Sequence, residues 1–295
     1  MTVTTITSPP PAPASPPPPL SPGGRTAFRI ALIAAAAVLV VGTLASLGAV
    51  AWGIAGFRVI TDSKTLPSGM RSVVVDTGTV PIAIRITADR EAREPRADLR
   101  MVNSTRAGAN PLVVTTDPVG ARVTINGESS PFLHWGRAGE INLVLPPDLA
   151  RKLTVTAQQD TGAVLAQADI DQLIAHTDTG AVVLSGAARR VEIHNVNGEV
   201  VTRDPIRVTE SFSATSETGD IKVDFAELAP RTINATSQDG DVIVVLPPRG
   251  PYVVSANSAD GDTQIRVPQT TNRESAAAVV TARSGTGDVI INDLR

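Results

Sequence analysis

The sequence of 295 residues contains no cysteine, and this absence removes several kinds of chemistry at once. Without thiols the chain forms no disulfide bond, holds no metal through thiolate and has no cysteine nucleophile. Only three histidines are present, His134, His176 and His194, and their spacing matches no zinc-binding motif. The sequence therefore predicts no catalytic residue, no cofactor and no metal site, apart from weak calcium candidates at the acidic positions described below.

Aromatic residues and excess charge are also scarce. Aromatics make up 3% of the chain, so the core must be built from Val, Ile, Leu, Ala and Thr, which suit a β-sheet. The formal net charge is −3 and no basic run occurs along the chain, so we expect no nucleic-acid partner. The sequence has no nucleophile elbow, phosphate loop or serine-triad motif. These absences together predict that the protein is not an enzyme.

The N-terminal segments differ in composition from the rest of the chain. Residues 1–29 contain most of the proline runs, which predicts a disordered tail whose use as a docking site stays open. Residues 30–57 carry no charge and are long enough to span a bilayer as a helix that contacts membrane lipid. Arg25 and Arg29 precede this helix, so the positive-inside rule predicts a single-pass protein with a cytoplasmic N-terminus. A cleaved signal peptide is the alternative.

The remaining residues predict a linker and an extracytoplasmic domain. Residues 58–71 are expected to form the linker, with a turn at positions 67–69. Residues 72–295 are expected to form a β-repeat domain. Short strands bounded by turn residues are expected at 72–76, 82–87, 99–102, 112–116 and 121–125.

A nine-residue phrase recurs seven times between positions 155 and 288. Each copy alternates apolar or small residues with polar ones and ends in a turn residue, glycine and usually an acid, which indicates strand, turn, strand. A further, degenerate copy precedes these seven and ends at Gly139. The expected turn glycines are therefore Gly139, Gly162, Gly180, Gly198, Gly219, Gly240, Gly261 and Gly287. Spacings of 18 to 26 residues indicate a repeat architecture.

Two assemblies of these units are compatible with the pattern. In a parallel β-solenoid each unit is one coil, and small residues such as Ala214, Ala235, Ala256 and Ala282 fill a narrow interior. In an antiparallel β meander or sandwich each glycine turn closes a hairpin instead. Because equivalent positions recur as residues of the same size, we favour the solenoid-like, all-β fold.

Repeated polar positions are the candidates for a site. Asp220, Asp241, Asp262 and Asp288 follow their glycines and would form a column of carboxylates, which makes them weak calcium candidates. Acids beside glycine also suit a turn with no metal. His176 and His194 occupy the same outward place in two consecutive copies, so a solenoid would stack them.

Glycine and an acid are followed by an alternating strand, and Leu-Pro-Pro is repeated at 145–147 and 246–248. In these features the sequence resembles bacterial adhesin-like domains of unknown function that are built from β-strand repeats. The resemblance covers about residues 139–295 well and 72–138 loosely. It implies a bacterial, membrane-anchored protein of the cell envelope.

Three functions follow as expectations, the last of them the weakest. The first is a non-enzymatic envelope protein whose repeat domain binds cell-wall polymer, another envelope protein or a second copy of itself. The second is an envelope-sensing signalling accessory protein, and a glycan-active enzyme is a weaker third.

Overall fold

The computed structural model describes residues 57–104, 110–126 and 139–294, and a few residues between 33 and 46 that lie in helix. The chain divides into two compact units, Met1–Ala55 and Gly56–Arg295. No helix in the described parts is long and apolar enough to cross a membrane. The predicted tail and most of the predicted membrane segment lie outside the described residues.

The second unit is all-β, apart from one helix of four residues in its described part. Its first elements are β1 (Phe57–Thr65), β2 (Ser72–Asp76), β3 (Ile82–Ala88), β4 (Arg96–Ser104), β5 (Leu112–Thr116), β6 (Gly120–Ile125), β7 (Gly139–Leu145) and α1 (Pro147–Ala150). The later strands are β8 (Thr154–Gln167), β9 (Ile170–Leu184), β10 (Ala187–Asn197), β11 (Val200–Thr202), β12 (Arg207–Thr218), β13 (Ile221–Asp224), β14 (Thr232–Asp239), β15 (Val242–Leu246), β16 (Val253–Ser258), β17 (Thr263–Ile265), β18 (Val279–Ser284) and β19 (Val289–Asp293). All these strands join one mixed sheet.

Each repeat copy forms one coil, in which a first arm and a second arm of strand meet at a bend. The alternation in the sequence reappears as alternating burial: Ile233, Ala235 and Ser237 of β14 point inward, and the residues between them are more exposed. After the bend Val242 and Val244 of β15 are fully buried. Inward side chains of both arms therefore share one core, as expected for strands with one buried face.

Coils stack in parallel, as the solenoid-like interpretation predicted. Strand β12 pairs in parallel with both β10 and β14, and β13 pairs in parallel with β11 and β15. Equivalent residues lie side by side, so the predicted small interior residues form one column, in the order Ala214, Ala235, Ala282 and Ala256. The antiparallel meander is therefore wrong for the repeat, because the two arms of a coil pair with neighbouring coils.

The order of the column differs from the order of the chain at both ends of the stack. The coil of β18 and β19 lies between that of β14 and β15 and that of β16 and β17. At the other end, β6 and β7 form the outermost coil, outside β2 and β3. Antiparallel strands then cover this outer coil: β5 pairs with β6, β4 with β7, and β1 with β4. The antiparallel strands thus close one end of the parallel stack.

Several expected boundaries change. Residues 58–71 are not a plain linker, because β1 occupies Phe57–Thr65 and pairs with β4 along its whole length. The folded unit consequently begins before residue 72. Each of the five strands predicted ahead of the repeat is confirmed, and 72–76 and 112–116 match β2 and β5 in both bounds.

Candidate functional site

The repeated glycines from Gly162 onward form a column along the bends, because each later one packs against the backbone of a glycine in the adjacent coil. A side chain at Gly219 would lie 2.1 Å from the carbonyl oxygen of Gly198, and one at Gly240 would lie 2.4 Å from that of Gly219. The φ angles of Gly219 and Gly240 are 133° and 153°, a region that residues with a side chain rarely adopt. Glycine is thus required here by close approach as well as by conformation.

Three of the predicted turn glycines do not lie in a turn between separate strands. Gly162 and Gly180 lie inside β8 and β9, although the pairing of these two strands skips the residues at 160 and 178. Gly139 is the first residue of β7 and pairs in parallel with Ile82. The remaining glycines lie between the two strands of a coil, as predicted.

Small hydroxyl residues line the inner side of these bends. The Ser237 hydroxyl donates to the carbonyl of Gly219 at 2.8 Å, and the Ser284 hydroxyl donates to that of Gly240 at 2.8 Å. Ser284 also accepts the N–H of Gly287 at 2.8 Å. These serines are at most 5% exposed, so the hydrogen bonds satisfy polar groups that burial would otherwise leave unpaired.

The aspartates after the glycines form a hydrogen-bonded ladder between coils. One carboxylate oxygen of Asp220 accepts the backbone N–H of Asp241 at 2.9 Å, and Asp241 accepts that of Asp288 at 2.9 Å. Asp288 in turn accepts the N–H of Asp262 at 2.8 Å. The column predicted for calcium is therefore built, and its geometry gives the carboxylates a structural use. In the part of the chain that the structure describes, no group of three or more His, Cys, Asp or Glu side chains is placed to hold a metal ion.

Two substitutions of Asp241 distinguish what its hydrogen bond and its negative charge each contribute to stability. We expect Asp241→Ala to lower the free energy of unfolding by about 1 to 2 kcal/mol, because the N–H of Asp288 loses its acceptor in a half-buried place. Asp241→Asn keeps an acceptor oxygen and should stay within about 0.5 kcal/mol. Urea unfolding followed by circular dichroism measures both.

The matched control is Asp262→Ala in the outermost coil. Its carboxylate accepts no hydrogen bond from another described residue, so the free energy of unfolding should be unchanged. A loss at Asp241→Asn as large as at Asp241→Ala would show that the ladder depends on charge.

Lys222 pairs with Asp220, the first carboxylate of this ladder. Lys222 Nζ lies 2.6 Å from the second carboxylate oxygen of Asp220. The hydrogen bond from Lys222, and after it the N–H of Asp241, hold the pKa of Asp220 below its ordinary value. The same contact raises the pKa of Lys222. By contrast, burial raises the pKa of Asp224. Lys222 is thus paired with Asp220 and not with Asp224.

The two repeat histidines stack as the sequence predicted. His176 and His194 lie beside each other on β9 and β10, with ring centroids 5.3 Å apart and planes 14° from parallel. Glu192 Oε1 lies 3.4 Å from His194 Nε2. Both histidines are exposed on the outer face of the first arm. His134 lies outside the described residues.

A network of ion pairs, missed in the sequence, crosses three coils on the same face. Arg189 contacts Asp171 at 2.8 Å and also contacts Glu210, which Arg190 contacts at 2.6 Å. The hydrogen bond from Arg189 holds the pKa of Asp171 low, and those from Arg190 and Arg189 hold the pKa of Glu210 low. The spacing from Asp171 to Arg189 is 18 residues, and that from Arg189 to Glu210 is 21 residues. Both equal spacings of the repeat, so an alignment of the copies would have revealed the network.

The outer face of the second arm carries an apolar stripe. Arg85 lies at one end of the stripe, Gln264 at the other, and Lys222 interrupts it. All the apolar members are half-buried, and their inward neighbours fill the core. The stripe consists of Leu165, Val183, Val201, Ile243 and Ile290.

These features define an all-β repeat domain in which glycine, serine and aspartate columns hold the bends and each arm has one regular outer face. Residues 165–292 match the family model Toastrack DUF4097. This part of the chain is a Toastrack DUF4097 domain, which confirms the adhesin-like resemblance. No curated protein matches the sequence.

Solved structures are similar over most of the chain at low identity. A candidate adhesin from Bacteroides fragilis is 13% identical, covers 80% of this chain and 97% of its own, and has a TM-score of 0.40. A candidate cell-adhesion protein from Clostridium sporogenes is 12% identical, covers 80% and 100%, and has a TM-score of 0.33. A candidate lipid-binding protein from Parabacteroides distasonis is 9% identical, covers 80% and 97%, and has a TM-score of 0.35.

Proposed function

We propose that this chain is a non-enzymatic, membrane-anchored protein of the cell envelope, which binds another envelope protein through the second arm of its β stack. The apolar stripe from Leu165 to Ile290 carries this proposal. Outward positions of a sheet with one buried face are normally polar, whereas this stripe is apolar and half-buried on both sides of Lys222, and apolar surface at such positions marks interaction sites. The stripe follows stacked coils at a strand spacing of roughly 4.8 Å, so its side chains are regularly spaced.

The chemistry of the repeat supports binding over turnover. Its glycines and serines are engaged in the bends, Asp220 and Asp241 accept backbone N–H groups, and Asp171 and Asp220 pair with cations. Enzymes need groups with tuned pKa values that converge in a cleft. The outer face of the first arm is polar instead, which would suit a cell-wall polymer better than the stripe does.

Because the chain has no cysteine, single cysteines report both orientation and coverage. We expect a membrane-impermeant maleimide to label Thr215→Cys in intact cells and to leave Ser8→Cys unlabelled. Val201→Cys, on the stripe, should be labelled in the purified protein and protected in cells. Thr215→Cys, on the outer face of the first arm, should be labelled in both.

Each departure from this pattern has a defined meaning. Labelling of Ser8→Cys but not Thr215→Cys would reverse the orientation. Equal labelling of Val201→Cys in cells and in the purified protein would remove the stripe as a binding surface. Protection that disappears after enzymatic removal of the cell wall would identify a wall polymer, and protection that survives it would support a protein partner.

A further inference from the structure

We propose that the domain has a second binding site, a cationic cleft at the capped end of the stack that takes a phosphate ester. The cleft has a volume of about 690 Å³, within the range of roughly 300 to 1,000 Å³ that small-molecule sites occupy. Three stretches of chain form it: residues 68–71 after β1, residues 93–95 before β4, and residues 146–152 around α1. It is built from other elements than the apolar stripe, so its existence does not depend on the proposed function.

Backbone hydrogen bonds fix all three walls. The N–H of Leu66 donates to the carbonyl of Pro95 at 2.8 Å, which ties the first wall to the second. The N–H of Arg71 donates to Val119 at 2.8 Å, and its carbonyl accepts the N–H of Thr154 at 3.0 Å. The N–H of Lys152 donates to Leu149 at 2.9 Å, which closes the end of α1. The cleft is thus formed before a ligand arrives, which reduces the entropy that binding must overcome.

The floor of the cleft is apolar. Met70 is 3% exposed, Pro95 is buried, and Leu149 packs partly against the core. Met70 and Pro95 have little surface left to lose, so the apolar surface that a ligand removes from water here is mainly that of Leu149.

The rim is cationic. Arg71, Arg93 and Lys152 are exposed, and none of them forms an ion pair with any carboxylate that the structure describes. The one acid in the lining, Asp148, contacts Arg151. Glu94 follows Arg93 in the chain and lies outside the lining. The three cations therefore line the cleft, and no described residue accepts a hydrogen bond from their side chains.

This arrangement selects for phosphate. Guanidinium groups bind phosphate oxygens in a bidentate fashion, lysine adds a point charge, and such charge-assisted hydrogen bonds are about twice as strong as neutral ones. A phosphomonoester or phosphodiester that bears an apolar or neutral portion would match both rim and floor. Such a group occurs in soluble phosphate esters and in phospholipid headgroups. The cations lie at positions 71, 93 and 152, which is why no basic run appeared in the sequence.

The test uses the full chain in nanodiscs of phosphatidylcholine, a neutral lipid. Titration calorimetry measures the affinity for glycerol 3-phosphate, and co-flotation measures binding to vesicles of phosphatidylglycerol or of phosphatidylcholine. The cleft variant combines Arg71→Gln, Arg93→Gln and Lys152→Gln. The matched control combines Arg203→Gln, Arg231→Gln and Arg249→Gln, which removes three exposed arginines outside the cleft.

We expect the cleft variant to bind at least about tenfold more weakly, while the control stays close to the wild type. Loss of glycerol 3-phosphate binding would identify a soluble ester, and loss of phosphatidylglycerol vesicle binding alone would identify a lipid headgroup. Equal weakening in both variants, or no binding of either phosphate probe by the wild type, would overturn the proposal. Unchanged circular dichroism and melting of the cleft variant show that the loss is not unfolding.

Discussion

Gly240→Val is expected to lower the free energy of unfolding by more than about 3 kcal/mol. A side chain at the observed φ of 153° costs roughly 1 to 3 kcal/mol in backbone strain. The added Cβ would also lie 2.4 Å from the carbonyl oxygen and 2.5 Å from the carbonyl carbon of Gly219. Both contacts are with backbone, so neither is relieved by a rotamer change. The two coils must separate instead, which disturbs the hydrogen bonds on both sides of the bend.

The matched control lies two residues away. Gln238 belongs to the same coil but is exposed, so Gln238→Thr should stay within about 0.5 kcal/mol. Urea unfolding with both midpoint and slope measured for each variant gives the comparison. Similar losses at the two positions would mean that the glycine column is not the element that holds the coils together.

Glycine spacing and strand alternation predict the coils whose glycines lie at 198 and beyond, together with their inward residues. Copies that end at Gly219 and Gly240 were placed correctly because each contains a complete unit of strand, bend and strand. His176 and His194 were paired correctly for the same reason, since parallel stacking places equal positions side by side.

The order of the coils was not predictable from these signals. The copies at 254–262 and 280–288 share Val-x-Ala, then Ser, then Gly-Asp at the same spacings. Each therefore offers its neighbours the same hydrogen bonds: Ser258 and Ser284 both donate to a glycine carbonyl of the adjacent coil. Local pattern cannot distinguish which copy lies next to β14. The choice depends on the connections between coils and on contacts that are distant in sequence.

The capped end was missed for a related reason. Strand β1 lies in a stretch that reads as a linker, because half of its residues face solvent and its partner β4 begins more than thirty residues later. The cationic cleft likewise brings together three loops from distant parts of the chain. Such contacts form only in the assembled stack, whereas the repeat pattern can be recognised in the sequence of each single copy.

The second large effect is expected at Phe212, in a chain with few aromatic residues. Phe212 is 1% exposed and Phe225 is 0% exposed, and their rings meet edge to face with centroids 5.4 Å apart at 82°. Phe212 pairs with Val191 on one neighbouring coil and with Ile233 on the other, so its phenyl ring is the largest of these three stacked side chains. Phe212→Ala leaves a cavity that the rigid coils cannot close, and we expect a loss of about 3 to 5 kcal/mol.

Two further variants show whether the ring pair itself contributes. Phe212→Leu refills most of the volume and should cost less than Phe212→Ala, while giving up the edge-to-face contact. In a double-mutant cycle with Phe225→Ala, the coupling energy should be about 0.5 to 1.5 kcal/mol, the range measured for aromatic pairs. The free energy of unfolding of a folded domain is roughly 5 to 15 kcal/mol, so Phe212→Ala alone should remove a large fraction of the stability. A loss below about 1 kcal/mol, by urea unfolding, would show that the core of this coil can repack around the missing ring.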